Sequence, residues 1–217
     1  MRKIRILSFD LEGTLVDNNF SRLVWEEGLP ALYAEEKGIS IESALKRVME
    51  EYDKIGPERI EWYDLRYWFR RFELRANWKS LLERFKDCVG IYPEVRGVLA
   101  RLGKDYELII VSNTSRDFID LQTKKLNPYF RRIFSAPTDY GVLKSPELYV
   151  RICSELGVKP QEMVHVGDHR SFDFTAPREV GITAFFLDRS GKEQGDYIIR
   201  NLEEFELKVS ELRDLTS

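Results

Sequence analysis

The sequence predicts an α/β protein: a parallel sheet with an all-helical segment inserted after its first strand. Three observations carry that expectation. The apolar run Ile4, Ile6, Leu7, Phe9 reads as a buried strand that stops on Asp10. From about 17 to 89 the periodic segments are helical. From Tyr92 onward, short apolar runs alternate with amphipathic helices, the pattern of a parallel sheet covered on both faces.

The first strand runs directly into Asp10-Leu11-Glu12-Gly13-Thr14, where Gly13 permits a sharp turn. An early helix ends at Lys37-Gly38, a C-terminal stop signal. Ile41, Ala44, Leu45, Val48, Met49, Tyr52 and Ile55 follow helical spacing, with Ser40 placed as N-cap. Trp78, Leu81, Leu82, Phe85 and Val89 do the same behind Asn77. Between them, 62–72 carries six aromatic residues interleaved with Arg66, Arg70 and Arg71. That is too apolar for a lone surface helix, so it packs against a neighbour or closes over something.

In the second part, Pro93 suits the first turn of a helix through Val95, Val98, Leu99 and Leu102. Leu108-Ile109-Ile110-Val111 is a buried strand ending on Ser112-Asn113-Thr114, followed by a helix over 115–126. A short strand at 133–135 precedes Lys144 and a helix over 146–156, stopped by Gly157. A strand over 163–166 ends on Gly167-Asp168, a helix continues to about 180, a strand spans 183–187, and a closing helix begins at Leu202. One domain therefore comprises 1–15 and 91–217, interrupted by a helical domain at 16–90. The insertion leaves beside the first strand's end, where a lid would sit.

The 34 basic and 37 acidic residues give a net charge of -3, which argues against a general nucleic-acid binder. No apolar run reaches the roughly 18 residues of a membrane span, and the early strand leaves no room for a signal peptide. Cys88 and Cys153, far apart in helix-like segments, read as free thiols of a cytoplasmic protein. A monomer or a homodimer is compatible with this chain.

Polar groups fall at or near successive strand ends: Asp10, Ser112, Lys144 and the pair Asp168/Asp173. In open α/β sheets, sites form at the carboxyl ends of strands. Were a phosphoryl group to dock against Asp10, it would meet the charge of Asp168 and Asp173. Each like-charge pair near 4 Å costs about 4 kcal/mol at an effective dielectric of about 20. Lys144 supplies one compensating cation, and a cluster of hard carboxylate oxygens suits Mg²⁺.

These four stretches, in this order and spacing along the whole chain, resemble the motifs of the haloacid dehalogenase superfamily. Asp10 through Thr14 resembles the first motif, Val111-Ser112-Asn113 the second, Lys144 the third, and Gly167-Asp168 through Asp173 the fourth. The resemblance implies a Rossmann-like sheet, with the helical insertion as a C1-type cap. It implies a Mg²⁺-dependent phosphatase in which Asp10 attacks phosphorus and forms an aspartyl-phosphate. Metal ligands would be the Asp10 carboxylate, the Glu12 backbone carbonyl and Asp168, with Asp173 acting through water or orienting Asp168. Ser112 and the amides of residues 11, 12 and 113 would hold phosphoryl oxygens, and Lys144 would offset charge. Glu12 would protonate the leaving alcohol and later activate water. Most phosphatases of the family have Asp at that position; the enolase-phosphatases resemble this chain in having Glu. A methylene longer, Glu12 can still act as acid and base if its carboxyl is within reach.

Two rival readings are a 2-haloacid dehalogenase, which needs neither a metal-binding pair nor an acid at position 12, and a non-catalytic binding protein of the same fold. His165 reads as a packed or hydrogen-bonded core histidine; His169 borders the expected metal site, either supporting a ligand there or capping the loop, in preference to binding metal directly. Arg66 or Arg70 could meet a carboxylate or second phosphate on a small substrate, and Tyr63 and Trp68 could shape its pocket. A covering cap favours small phosphorylated metabolites, such as sugar phosphates, glyceraldehyde 3-phosphate or phosphoglycolate, over phosphoproteins.

Overall fold

The computed structural model describes residues 3–214, so the outer ends of the expected core segments, 1–2 and 215–217, lie outside the described residues. Six strands form one parallel sheet: β1 (Ile6–Phe9), β2 (Glu107–Ser112), β3 (Arg132–Ser135), β4 (Met163–Gly167), β5 (Thr183–Leu187) and β6 (Ile198–Ile199), in the order β3-β2-β1-β4-β5-β6. β1 is central, with Phe9 level with Ile110 on one side and Val166 on the other. The carboxyl ends of β1, β2 and β4 therefore open at one edge, where the strand order switches direction.

Ten α-helices accompany the strands among the described residues. Five lie between β1 and β2 and before the return to the core: α1 (Asn19–Arg22), α2 (Leu29–Lys37), α3 (Ile41–Ile55), α4 (Leu65–Arg71) and α5 (Trp78–Phe85). The others are α6 (Val95–Leu102), α7 (Arg116–Gln122), α8 (Pro146–Leu156), α9 (Ala176–Glu179) and α10 (Leu202–Asp214). Alternation along β1 divides the core. Leu7 and Phe9 pack toward α6 and α10, with Val98, Leu99, Phe205 and Val209. Ile6 packs toward α8 and α9, with Leu148, Tyr149, Ile152 and Ala176.

The local signals act as the sequence suggests. Ser40 Oγ accepts from Ser43 N at the start of α3, and Asn77 accepts from Lys79 N at the start of α5. Gly38 and Gly157 end α2 and α8 in the left-handed conformation. The aromatic stretch is not one helix: a 3₁₀ turn at Ile60–Tyr63 hands over to α4, whose cap is Asp64, accepting from Arg66 N at 2.8 Å. Trp68 is the centre of the helical cap, fully buried, with the Tyr52 ring 4.6 Å away at 75°.

Three expectations need correction, and one strand was not foreseen. α7 stops at Gln122 instead of reaching 126, because Thr123 Oγ1 donates back to Ile119 O and the chain tightens into a turn. The helix expected after Asp168 is a π turn at Arg170–Thr175 followed by the short α9. There Asp173 folds back on His169, and Pro177 begins α9. Pro93 lies in a turn two residues ahead of α6. The two-residue strand β6 went unread, being too short to show a period.

The chain leaves and re-enters the core side by side. Asp17 N donates to Gly90 O (2.8 Å), and Tyr92 N donates to Leu15 O (3.3 Å). A Cβ on Gly90 would meet the Asp17 carboxylate, which would have to turn aside.

Candidate active site

Asp10 extends β1 by one residue, its amide donating to Val166 O at 2.9 Å. Its carboxylate is buried and shares space with those of Asp168 and Asp173: one oxygen from each lies within 4.8 Å of the others. Lys144 binds the cluster together. Its Nζ is 2.6 Å from Asp10 Oδ1 and 2.5 Å from Asp173 Oδ1, with all three side chains buried. Lys144 is placed by Asn113, whose Oδ1 accepts the Lys144 amide at 2.8 Å.

Both oxygens of Asp173 have partners. Oδ1 also meets His165 Nε2 (3.0 Å), and Oδ2 accepts from His169 N (3.1 Å). His165 is buried within β4 and reaches Ser8 Oγ and the Tyr149 hydroxyl, the hydrogen-bonded core histidine its position suggests. His169 accepts from Phe172 N and so caps the turn. Asp10 Oδ2 and the Asp168 carboxylate are the cluster oxygens left without a side-chain donor among the described residues.

Two glycines make room for the acids. Gly13 has φ 73°, and a Cβ there would strike Asp168 Oδ2. A Cβ on Gly167 would strike the Asp173 carboxyl. Arg189, just past β5, holds the loop down: it donates to Gly13 O (3.1 Å) and Thr14 O (2.8 Å), pairs with Glu94 and stacks on Tyr92. One guanidinium thus grips both sides of the cap insertion.

The charges are unequal in consequence. Burial pushes the Asp10 carboxyl up from its ordinary value against the pull of Lys144, and Asp173 adds to the push. At Asp173 burial is outweighed by Lys144 and His165, which hold its carboxyl well below the usual range. Burial also disfavours the Lys144 cation, yet Asp10 and Asp173 overcome this and raise its pKa. Asp168 is the most open of the three acids; burial, then Asp10 and Asp173, push it up to about 8. One ammonium does not neutralise three carboxylates. A divalent ion with a preference for oxygen fits this donor set, and Mg²⁺ is such an ion.

The remaining groups surround the cluster. Ser112 is buried at the end of β2, its Oγ 3.1 Å from Thr114 Oγ1 and accepting from Thr114 N. Asn113 Nδ2 is buried without a partner at bonding geometry, although the Tyr63 hydroxyl lies beside it. Tyr63 reaches in from the cap close enough to feel Lys144 and Asp10. Its hydroxyl donates to Pro57 O, and its burial pushes its pKa up to about 12.

Glu12 stands close enough to Asp10 to feel its charge. Its Oε1 accepts from Ser21 of α1 and from Gln122 Nε2 of α7, so it joins cap to core. Burial raises its pKa in spite of these two donors. The structure does not bring the two arginines to the cluster. Arg66 pairs with Asp117 (2.9 Å) and lies over the Trp78 ring, while Arg70 is 70% exposed beside Asp64. Trp68 is interior to the cap. Sequence reasoning missed Ser21, Gln122 and Arg189. Only Gln122 left a trace: a polar side chain on the core-facing stripe with Ile119 and Leu126.

Residues 4–181 match the family model for haloacid dehalogenase-like hydrolases. A glyceraldehyde 3-phosphate phosphatase of Pyrococcus furiosus is 25% identical across 93% of this chain and 91% of its own length. A phosphoglycolate phosphatase of Chromobacterium violaceum is 28% identical across 85% of each. Among solved structures, a HAD phosphatase from Thermococcus onnurineus superposes with a TM-score of 0.82 at 27% identity, covering 99% of this chain and 98% of that one. With its sheet order, helical cap and matched model, the chain belongs to the haloacid dehalogenase-like hydrolases.

Proposed function

We propose that this hydrolase is a Mg²⁺-dependent phosphatase for small phosphorylated metabolites, working through an aspartyl-phosphate on Asp10, with 1–15 and 91–217 as the core and 16–90 as the cap. The observation that supports it most is the convergence of Asp10, Asp168 and Lys144 at adjoining strand ends. Asp10 and Asp168 carry the free oxygens, so they and the Glu12 backbone carbonyl would hold the metal, with Asp173 acting through water. When bound, Mg²⁺ offsets the charge that a phosphoryl group and these carboxylates bring together.

An Asp10 carboxylate oxygen attacks phosphorus, and the bond from phosphorus to the leaving oxygen breaks. Lys144 favours the ionised form of Asp10 and aligns it. Ser112 and the unpartnered Asn113 Nδ2 donate to the phosphoryl oxygens. Glu12, whose burial favours its protonated form, gives its proton to the departing alkoxide. The resulting carboxylate then takes a proton from water, the water oxygen bonds to phosphorus, and Asp10 and inorganic phosphate are released. Halide displacement needs no metal, so the oxygen cluster of Asp10 and Asp168 supports the phosphatase reading over it. The two free cysteines, Cys88 and Cys153, fit a cytoplasmic protein.

Acid-quenching the enzyme during turnover of radiolabelled substrate tests this reading. Label should stay on the wild-type protein and be missing from Asp10→Asn; label retained by Asp10→Asn would refute the nucleophile.

A further inference from the structure

We infer that Ser21 and Gln122 are positioning residues for Glu12: they grip one oxygen of its carboxyl and leave the other free to hand its proton to the leaving group. This rests on the phosphatase reading, with Glu12 as the proton donor, and concerns the same site. Both contacts fall on a single atom. Ser21 Oγ and Gln122 Nε2 each donate to Glu12 Oε1, and the two donors are 3.4 Å apart. A protonated carboxyl has a carbonyl oxygen with two lone pairs to accept, and a hydroxyl that donates. Two donors on Oε1 mark it as the carbonyl oxygen, so the proton resides on Oε2.

The surroundings keep this grip in place. Ser21, on α1 of the cap, and Gln122, on α7 of the core, are both buried. Phe20, next to Ser21, meets Phe118 edge-on at 5.5 Å, and Phe118 lies one turn before Gln122 on the same face of α7. That aromatic contact sets the two donors side by side. Keeping Gln122 there is unfavourable for folding alone. Its Oε1 is buried without a partner, while Ile119 and Leu126 on the same stripe are apolar. A role at Glu12 accounts for the amide.

Glu12 lies where such orientation matters. It feels the charge of Asp10, and Thr114, whose Oγ1 is 3.1 Å from Ser112 Oγ, also reaches its carboxyl. Asp10 and Ser112 are the groups that would receive and hold the phosphoryl group, so the acid borders the reacting atoms. The grip also accounts for a glutamate at this position. An aspartate carboxyl would sit back by up to about 1.5 Å, outside hydrogen-bond reach of Ser21 and Gln122.

The test compares kcat/KM for p-nitrophenyl phosphate and phenyl phosphate, with Mg²⁺ present. The two are alike in shape, but phenoxide is the stronger base and depends more on receiving a proton as it leaves. kcat/KM reports the steps up to loss of the leaving group, so the later attack of water does not enter. In Ser21→Ala and in Gln122→Met the ratio of p-nitrophenyl to phenyl phosphate kcat/KM should rise about tenfold over wild type. Glu12→Asp, cut off from both donors, should show the same rise. A residue that only supports the fold would lower both substrates by one factor, so an unchanged ratio in any of these variants overturns the inference. Glu12→Gln is the reference. If its ratio equals that of wild type, Glu12 is not the proton donor, and the inference falls while Asp10 as nucleophile stands. If the wild-type protein turns over neither substrate, the phosphatase reading falls and the inference with it.

Discussion

Lys144 touches Asp10 and Asp173 at once, and all three are buried. Lys144→Met keeps most of the volume but leaves two carboxylates without their counter-ion. Breaking a buried pair in this way costs about 3–5 kcal/mol, to be read from urea unfolding at neutral pH; an unchanged midpoint would contradict the pairing. Asp168 makes the opposite forecast. Its folded pKa, about 8, lies above the ordinary carboxylate value, so the folded state takes up a proton there. Without metal, stability at this site is favoured at acid pH and declines as pH rises from about 4 to about 8. Asp168→Asn removes that decline. The metal-free variant should be more stable than wild type at pH 8 by about 1–2 kcal/mol, a figure discounted because this carboxylate is partly open to solvent. It should also lose activity. Thermal melts in EDTA across this pH range decide it, and a variant no more stable at pH 8 would mean that Asp168 carries no excess charge. Gly13→Ala combines a strained φ with a collision against Asp168, so activity should drop on the order of 10²-fold with the fold retained. Circular dichroism beside a turnover assay would show both.

α7 matters to the cap although it belongs to the sheet's surround. Phe118, on α7, is buried in the cap's aromatic core, stacked on Trp25 at 5.3 Å and edge-on to Phe20 at 5.5 Å. The neighbouring ion pair Arg66–Asp117 is exposed and contributes about 0–1 kcal/mol, so packing at Phe118 is the main tie. Phe118→Ala should cost about 3–5 kcal/mol. The four tryptophans, at 25, 62, 68 and 78, all lie in the cap segment and report on it selectively. In Phe118→Ala the tryptophan fluorescence transition should precede the loss of far-ultraviolet circular dichroism. Coincident transitions would mean that the cap does not depend on α7.

Across the whole molecule, what could be read from the sequence was whatever depends on local pattern. Asp10, Ser112 and Asp168 were legible because each ends an apolar run, and a parallel sheet brings such ends to one edge. The caps Ser40 and Asn77 and the stops Gly38 and Gly157 were legible from residue type. Side-chain direction was not. Nothing in the spacing says that Arg66 turns to Asp117, that Glu12 is held by Ser21 and Gln122, or that Arg189 returns from β5 to clasp Gly13 and Thr14. Those contacts join residues far apart in sequence and are decided only when cap and core meet. The central claim is that Asp10 is a metal-assisted nucleophile toward phosphorus, and the hydrolysis rate of p-nitrophenyl phosphate tests it most directly. With Mg²⁺ the wild-type protein should be active, and EDTA or Asp10→Asn should each lower the rate on the order of 10³-fold or more; full activity in EDTA, or in Asp10→Asn, would contradict it.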